Sequence, residues 1–337
     1  MDIRVSVIGA GSWGTTVAAL AAHNAPTLLW SRRATLAEQI DKEHENGDYL
    51  AGYRLPTQLR ATADLEEAVR QADLLVMGVP SQGFRGALES VKPYLRPWVP
   101  VISLSKGLEL GTKLRMSQLI EEVLPGHPVG ILTGPNLAKE ILAGHAAASV
   151  VAMDDHNIAR AVQDIFQAEL FRVYTNEDII GCEMGGVLKN VIAIASGMAD
   201  GLGAGDNTRA AVITRGLSEV TRMGVALGGE PLTFSGLAGM GDLVATCISP
   251  QSRNRHVGEL LGKGKTIDEI IASMNMVAEG VKTSKVVMEL SQELGIDMPI
   301  GSEVFACCHE GRTAAEAYTG LLRRGTGREM DGISPAG

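Results

Sequence analysis

The stretch VSVIGAGSWGTTVAALAA, residues 5–22, constrains the fold more than any other. A short β-branched run leads into Gly9, Gly11 and Gly14, and an apolar helical pattern follows. Glycines in G-x-G-x-x-G spacing are a weak signal alone. Between a strand and a helix they form the turn that holds a dinucleotide at the edge of an α/β sheet. Gly9 permits the tight turn, Gly11 lets backbone approach a pyrophosphate, and Gly14 lets the helix pack close to the strand. The unpaired N–H groups of the helix start then face the phosphates.

The rest of the N-terminal half fits that reading. Strand patterns RVSVIG, TLLWS, LRAT, DLLVMGVP, VPVISLS, VGILTG, ASVVAM and FRVYT alternate with amphipathic stretches such as TLAEQIDKEHEN up to about residue 175. Strand–helix alternation predicts a mostly parallel sheet covered by helices, a Rossmann-type α/β domain. Past residue 180 helical periods take over, at 183–199, 207–227, 254–262, 267–274, 279–294, 298–309 and 313–323. A chain of 337 residues suits two domains. The expected division is a dinucleotide-binding domain over 1–180, an all-α substrate and catalytic domain over 181–325, and a Gly/Pro-rich disordered tail over 326–337.

The end of the second strand bears on which dinucleotide binds. An acid there would take the ribose 2′-hydroxyl of NAD(H). This chain has WSRR instead, and the guanidiniums of Arg32 and Arg33 suit a 2′-phosphate. NADP(H) is favoured, with NAD(H) left open. Ligands of such sheets bind beyond the carboxyl ends of the strands. Those ends here carry Val79-Pro80-Ser81-Gln82, Lys106-Gly107 and Gly134-Pro135-Asn136, with the small Ala138 just beyond.

In the helical half, Lys189 is followed at once by Asn190 inside an apolar run, MGGVLKNVIAIASGMADG. A buried ammonium is costly unless something pairs with it or uses it. On a helix its face holds Gly185, Gly186, Ile192, Ala193, Ser196 and Asp200, so that something can come close. Asp242, after a flexible Gly239-Met240-Gly241, is either a helix cap or a partner for that lysine. Ser252, Arg253 and Asn254 stand at or just before a helix start. There hydroxyl, guanidinium, amide and free N–H groups can receive a phosphate, or serve simply as a cap with surface arginines.

Composition excludes other classes. With 45% hydrophobic and 20% charged residues the chain reads as a soluble globular protein. A net charge of −9 argues against a general nucleic-acid or membrane-surface binder. No secretory leader is expected, and no uncharged apolar stretch long enough to span a bilayer. The four cysteines, Cys182, Cys247, Cys307 and Cys308, lack C-x-x-C spacing and read as reduced thiols of a cytoplasmic protein. No metal site is expected, because Cys307, Cys308 and His309 are consecutive and point apart on a helix.

Taken in order, GAGSWGTTVA, SLSKGLE, TGPNLAKE, LKNVIAIASGMADGLG, GDNTRAAVITRGL, GLAGMGDLVATC, SRNRHVGE and AEGVKTS closely resemble the bacterial-type NAD(P)-dependent glycerol-3-phosphate dehydrogenases. The resemblance spans nearly the whole chain. It implies a Rossmann domain plus a helical domain, a homodimer, and interconversion of sn-glycerol 3-phosphate with dihydroxyacetone phosphate that supplies glycerophospholipid synthesis. It implies that Lys189 donates and accepts the proton. It makes Lys106, Gly134, Asn136, Asp242, Ser252, Arg253 and Asn254 substrate contacts. Ser12, Trp13, Arg33, Lys106, Ala138, Arg253, Val277 and Glu279 would be cofactor contacts. Relatives often carry Ser or Thr where this chain has Asn136, which leaves that amide's partner open. Two other readings compete: a related two-domain reductase of a 2-keto or sugar acid, and a non-catalytic dinucleotide sensor. The sensor has no need of Lys106, Lys189 and Asp242 together.

Overall fold

The apolar runs of the N-terminal half pair into one eight-stranded sheet of order β3-β2-β1-β4-β5-β6-β7-β8. Its elements are β1 (Val5–Ile8), α1 (Ser12–Ala22), β2 (Thr27–Trp30), α2 (Ala34–Glu43), β3 (Arg60–Thr62), α3 (Leu65–Arg70), β4 (Leu74–Met77), α4 (Phe84–Val91), β5 (Val101–Ser103), α5 (Met116–Val123), β6 (Val129–Thr133), α6 (Ala138–Leu142), β7 (Ala147–Met153), α7 (His156–Phe166) and β8 (Phe171–Asn176). The computed structural model describes residues 3–274 and 278–323. The expected tail over 326–337 and Val277 lie outside the described residues. The chain divides into two compact units between Ile179 and Ile180.

In the first unit β1 is central, parallel to β2 on one side and β4 on the other. Alternation along it sends Val5 and Val7 into one core with Val17, Leu29 and Phe166. Ile8 joins a second core with Phe84, Leu88 and Ile120 on the opposite face. Both faces are covered, which is why these strands read as apolar throughout. All neighbours are parallel except β6 and β7, which pair antiparallel. The link between them contains only the five-residue α6. That is too short for the crossover a parallel return needs.

The second unit is helical: α8 (Ile179–Gly201), α9 (Asp206–Ala226), α10 (Asp242–Ile248), α11 (Arg253–Gly262), α12 (Ile267–Ser273), α13 (Glu279–Leu294), α14 (Pro299–His309) and α15 (Ala314–Arg323). α8 begins at Ile179 rather than at 183, so NEDIIGCEMGG already contains its first turns. Its length and composition would suffice to cross a membrane, but 89% of its most apolar window is buried inside the protein. It is the core helix around which the others pack.

Glycines set how closely they pack. A Cβ on Gly197 would strike the carbonyl of Arg255, and one on Gly258 the carbonyl of Ile194. Gly262 would meet Met198 O at 2.5 Å, and Gly280 would meet Asn190 O at 2.7 Å. α8, α11 and the start of α13 therefore touch backbone to backbone. The Gly239-Met240-Gly241 segment is not a flexible loop. It is a single wide turn over Leu237–Gly241. Gly241 N–H donates to Gly236 O at 3.0 Å, and the turn leads straight into α10.

Candidate functional site

In the first unit the glycine turn has the geometry a dinucleotide requires. Gly9 has φ +118°, where a side chain would be strained, and a Cβ on it would lie 2.5 Å from Gly78 O. A Cβ on Gly14 would strike Gly9 O. Gly11, by contrast, has no atom within 4 Å of its Cβ position, so the backbone there is approachable. α1 starts at Ser12 with Gly11 as its cap and no side chain spending the N-terminal N–H groups. Trp13 is half-buried, and its indole Nε1 is buried with no hydrogen-bond partner among the described residues. An approachable turn, free N–H groups and an orphaned donor fit a bound dinucleotide phosphate.

Arg32 and Arg33 follow β2 and are both exposed. Arg33 pairs with Asp48 at 2.6 Å and lies 5.7 Å from the centre of the Tyr49 ring. Beyond β5, the Lys106 ammonium donates to Gly134 O at 2.8 Å, which joins the ends of β5 and β6. Gly134 has φ +132° and sits against Ser149, where a Cβ would come within 3.2 Å of the Ser149 Cα.

Asn136 is held by a short relay. Ser149 donates from Oγ to Thr133 O at 2.8 Å. A hydroxyl has one hydrogen, so Ser149 must accept from Asn136 Nδ2, at 3.0 Å. This fixes the amide and leaves Asn136 Oδ1 buried without a partner among the described residues, as is Thr133 Oγ1. Asn136 Oδ1 is thus an acceptor still to be met. Ala138 is the first residue of α6 and is half-buried.

In the second unit Lys189 is 6% exposed and Asp242 1% exposed. The Lys189 ammonium donates to Asp242 Oδ1, and to Thr246 Oγ1 at 2.6 Å. Asp242 and Thr246 lie one turn apart on α10, so both face α8. Thr246 does not stand out in the sequence because no helical period is read after Asp242, although a cap at Asp242 would imply one. Its spacing of four from Asp242 would have been the signal.

The neighbouring Asn190 answers why an asparagine follows the lysine. Gly280 N–H donates to Asn254 Oδ1 at 2.9 Å, which orients that amide. Asn254 Nδ2 then donates to Asn190 Oδ1 at 2.8 Å. Two adjacent residues of α8 thereby fix α10 through Lys189 and both α11 and α13 through Asn190. Ser252 caps α11, its Oγ accepting from Arg255 N–H at 3.2 Å. Arg253 is the first residue of that helix and is exposed, while Glu279 opens α13 and is half-buried. Arg255 instead turns to Asp200 at 2.7 Å, and Arg209 shares the same carboxylate at 2.8 Å.

Cys247 lies next to this cluster, and burial pushes its thiol up to about 12. Burial likewise pushes Cys307 and Cys308 to about 12. None of these three is a thiolate at neutral pH, and all four cysteines are buried and outside any disulfide. The chemistry on offer is therefore an ammonium backed by a carboxylate and a hydroxyl in one unit, and an approachable glycine turn at a helix start in the other.

Comparison with known proteins agrees with this chemistry. The family model for the NAD-dependent glycerol-3-phosphate dehydrogenase N-terminus matches residues 4–159. The corresponding C-terminal model matches residues 178–319. A glycerol-3-phosphate dehydrogenase [NAD(P)+] of Sphingopyxis alaskensis is 61% identical over 98% of this chain and 99% of its own length. One from Mycobacterium avium is 56% identical over 98% of this chain and 97% of its own. The crystal structure of the Coxiella burnetii glycerol-3-phosphate dehydrogenase superposes with a TM-score of 0.91 at 35% identity, covering 96% of this chain and 99% of that one. The chain belongs to the NAD-dependent glycerol-3-phosphate dehydrogenase family.

Proposed function

We propose that this chain interconverts sn-glycerol 3-phosphate and dihydroxyacetone phosphate with NAD(P)(H). The buried Lys189–Asp242–Thr246 cluster carries the reading, because reduction of a ketone needs a placed acid for the developing alkoxide. The dinucleotide, when bound, supplies hydride transfer. Gly9, Gly11, Ser12, Trp13 and Gly14 cradle its phosphates, and Arg32 and Arg33 take the 2′-phosphate of NADP(H), the favoured form. Lys106, Ala138, Arg253 and Glu279 would complete its contacts.

Lys189 stabilises charge on the substrate C2 oxygen and gives it a proton; in the oxidative direction the same amine accepts one. Asp242 balances the ammonium charge and, with Thr246, holds the amine in one direction. Lys106 adds a second positive group. Gly134 and Asn136 orient the substrate, Asn136 by accepting from a hydroxyl. Arg253 binds the substrate phosphate at the start of α11, with Ser252 and Asn254 shaping that helix end. Phosphate docking converts remote binding energy into positioning of the reacting carbon. The protein works as a cytoplasmic homodimer and supplies glycerol 3-phosphate to glycerophospholipid synthesis.

The test is the loss of reduced-nicotinamide absorbance when the purified protein meets NADPH and dihydroxyacetone phosphate. Steady turnover is expected. Turnover on 2-keto acids but not on this substrate would favour the related reductases, and binding without turnover on any ketone would make the chain a sensor.

A further inference from the structure

The loop between α2 and β3 folds back on the glycine turn. Asn46 is fully buried in it and pins it there. Its Nδ2 donates to Ala10 O at 3.1 Å and to Thr15 Oγ1 at 2.8 Å. Tyr49 N–H donates to its Oδ1 at 3.2 Å, which orients the amide. Ser12 Oγ reaches Tyr49 O at 3.4 Å. The loop closes on itself where Leu55 N–H donates to His44 O at 2.9 Å. Two residues beyond the Asn46 anchor stands Asp48, paired with Arg33 at 2.6 Å.

Arg33 is one of the two guanidiniums that replace the acid of an NAD-type second strand. In this chain its charge is already met by an internal carboxylate, on a loop that a buried amide holds in place. A 2′-phosphate approaching Arg33 finds the guanidinium already paired with a like-charged carboxylate, whereas a neutral 2′-hydroxyl has no need of that guanidinium. Resting on the reading of Arg33 as a 2′-ribose contact, the geometry points to Asp48 as the residue that sets the balance between NADP(H) and NAD(H). It lowers affinity for the phosphorylated form and leaves the other nearly untouched. Both side chains are 49% exposed, so the pair alone contributes little. The discrimination comes from competition between Asp48 and the 2′-phosphate for the one Arg33 guanidinium, weakened by water and salt.

The experiment is equilibrium titration of the full chain with NADPH and with NADH, read by protein fluorescence. It uses the parent, Asp48→Asn, Arg33→Gln and the double variant. Asp48→Asn should tighten NADPH roughly three- to tenfold, about 0.7 to 1.4 kcal/mol by the usual conversion, and leave NADH within about twofold. In the Arg33→Gln background the same change should shift NADPH by less than about twofold, since the shared partner is gone. An NADPH-to-NADH ratio unmoved by Asp48→Asn, or a weaker NADPH, would overturn the assignment while leaving the cofactor reading intact. An equal effect with and without Arg33 would also overturn it. A parent chain that binds neither dinucleotide would remove the reading of the glycine turn, and the role of Asp48 with it.

Discussion

Lys189 and Asp242 form an ion pair in the interior of the helical unit, their side chains 8% and 2% exposed. Removing either partner strands the other charge away from water. A pair of this kind is weak evidence for stability, since apolar replacements often serve a core as well. Its presence beside a third polar group, Thr246, argues for chemistry. The substrate contacts proposed around it divide into groups that hold the helices and groups that remain available.

Asn254 belongs to the first kind. It joins Gly280 N–H to Asn190 and is 8% exposed. Asn254→Ala removes both bonds and leaves the Gly280 N–H buried without this acceptor, at about 1–3 kcal/mol. Urea denaturation should show a midpoint lowered by that loss divided by the slope, with the slope itself unchanged. A midpoint equal to that of the parent would mean that neither bond matters to folding.

Arg253 belongs to the second kind, exposed at the head of α11. Arg253→Ala should depress kcat/KM for dihydroxyacetone phosphate at least about a hundredfold, while costing unphosphorylated dihydroxyacetone far less. Steady-state kinetics on the two substrates makes the comparison. Equal losses on both would remove the phosphate from the role of Arg253.

Glu219 on α9 gives a pH dependence unrelated to turnover. Its carboxylate accepts from Ile300 N–H at 2.7 Å and Gly301 N–H at 3.0 Å, at the start of α14. Burial nevertheless pushes its carboxyl from an ordinary 4.5 to about 7, against the pull of those two N–H groups. Between those values the folded protein holds a proton that the unfolded chain has released. This contribution to stability is therefore present at the acid end and is lost as pH rises through about 7. Denaturation midpoints between about pH 5 and about pH 8 should fall for the parent and fall less for Glu219→Gln. Parallel profiles for the two proteins would show that Glu219 does not titrate in this range.

Much of this architecture was legible because it rests on local signals. The strand before Gly9 and the helix after Gly14 announce themselves by period and by glycine, and so do the long helices of the second unit. What the sequence hid was pairing at a distance. Asn190 looked misplaced because its partner Asn254 is 64 residues on. The seven-residue α10 was unreadable because Gly236, Gly239 and Gly241 precede it and resemble a loop, so Thr246 went unnoticed. In the sequence the small face around Lys189 leaves room for something to come close. At Gly185 that neighbour is the protein itself, since a Cβ there would lie 2.6 Å from Ala238 O. Ser252 and Asn254 suit a ligand by residue type, and their hydrogen bonds here also build the helix ends.

The most direct test of the central claim is Lys189→Ala, with NADPH affinity and dihydroxyacetone phosphate reduction measured on the same preparation. A positioned proton donor contributes about a hundred- to ten-thousandfold to such a step. Turnover should therefore fall by at least that range, while NADPH still binds within about twofold of the parent. Turnover that survives within about tenfold of the parent would contradict the account, because the proton would then come from elsewhere.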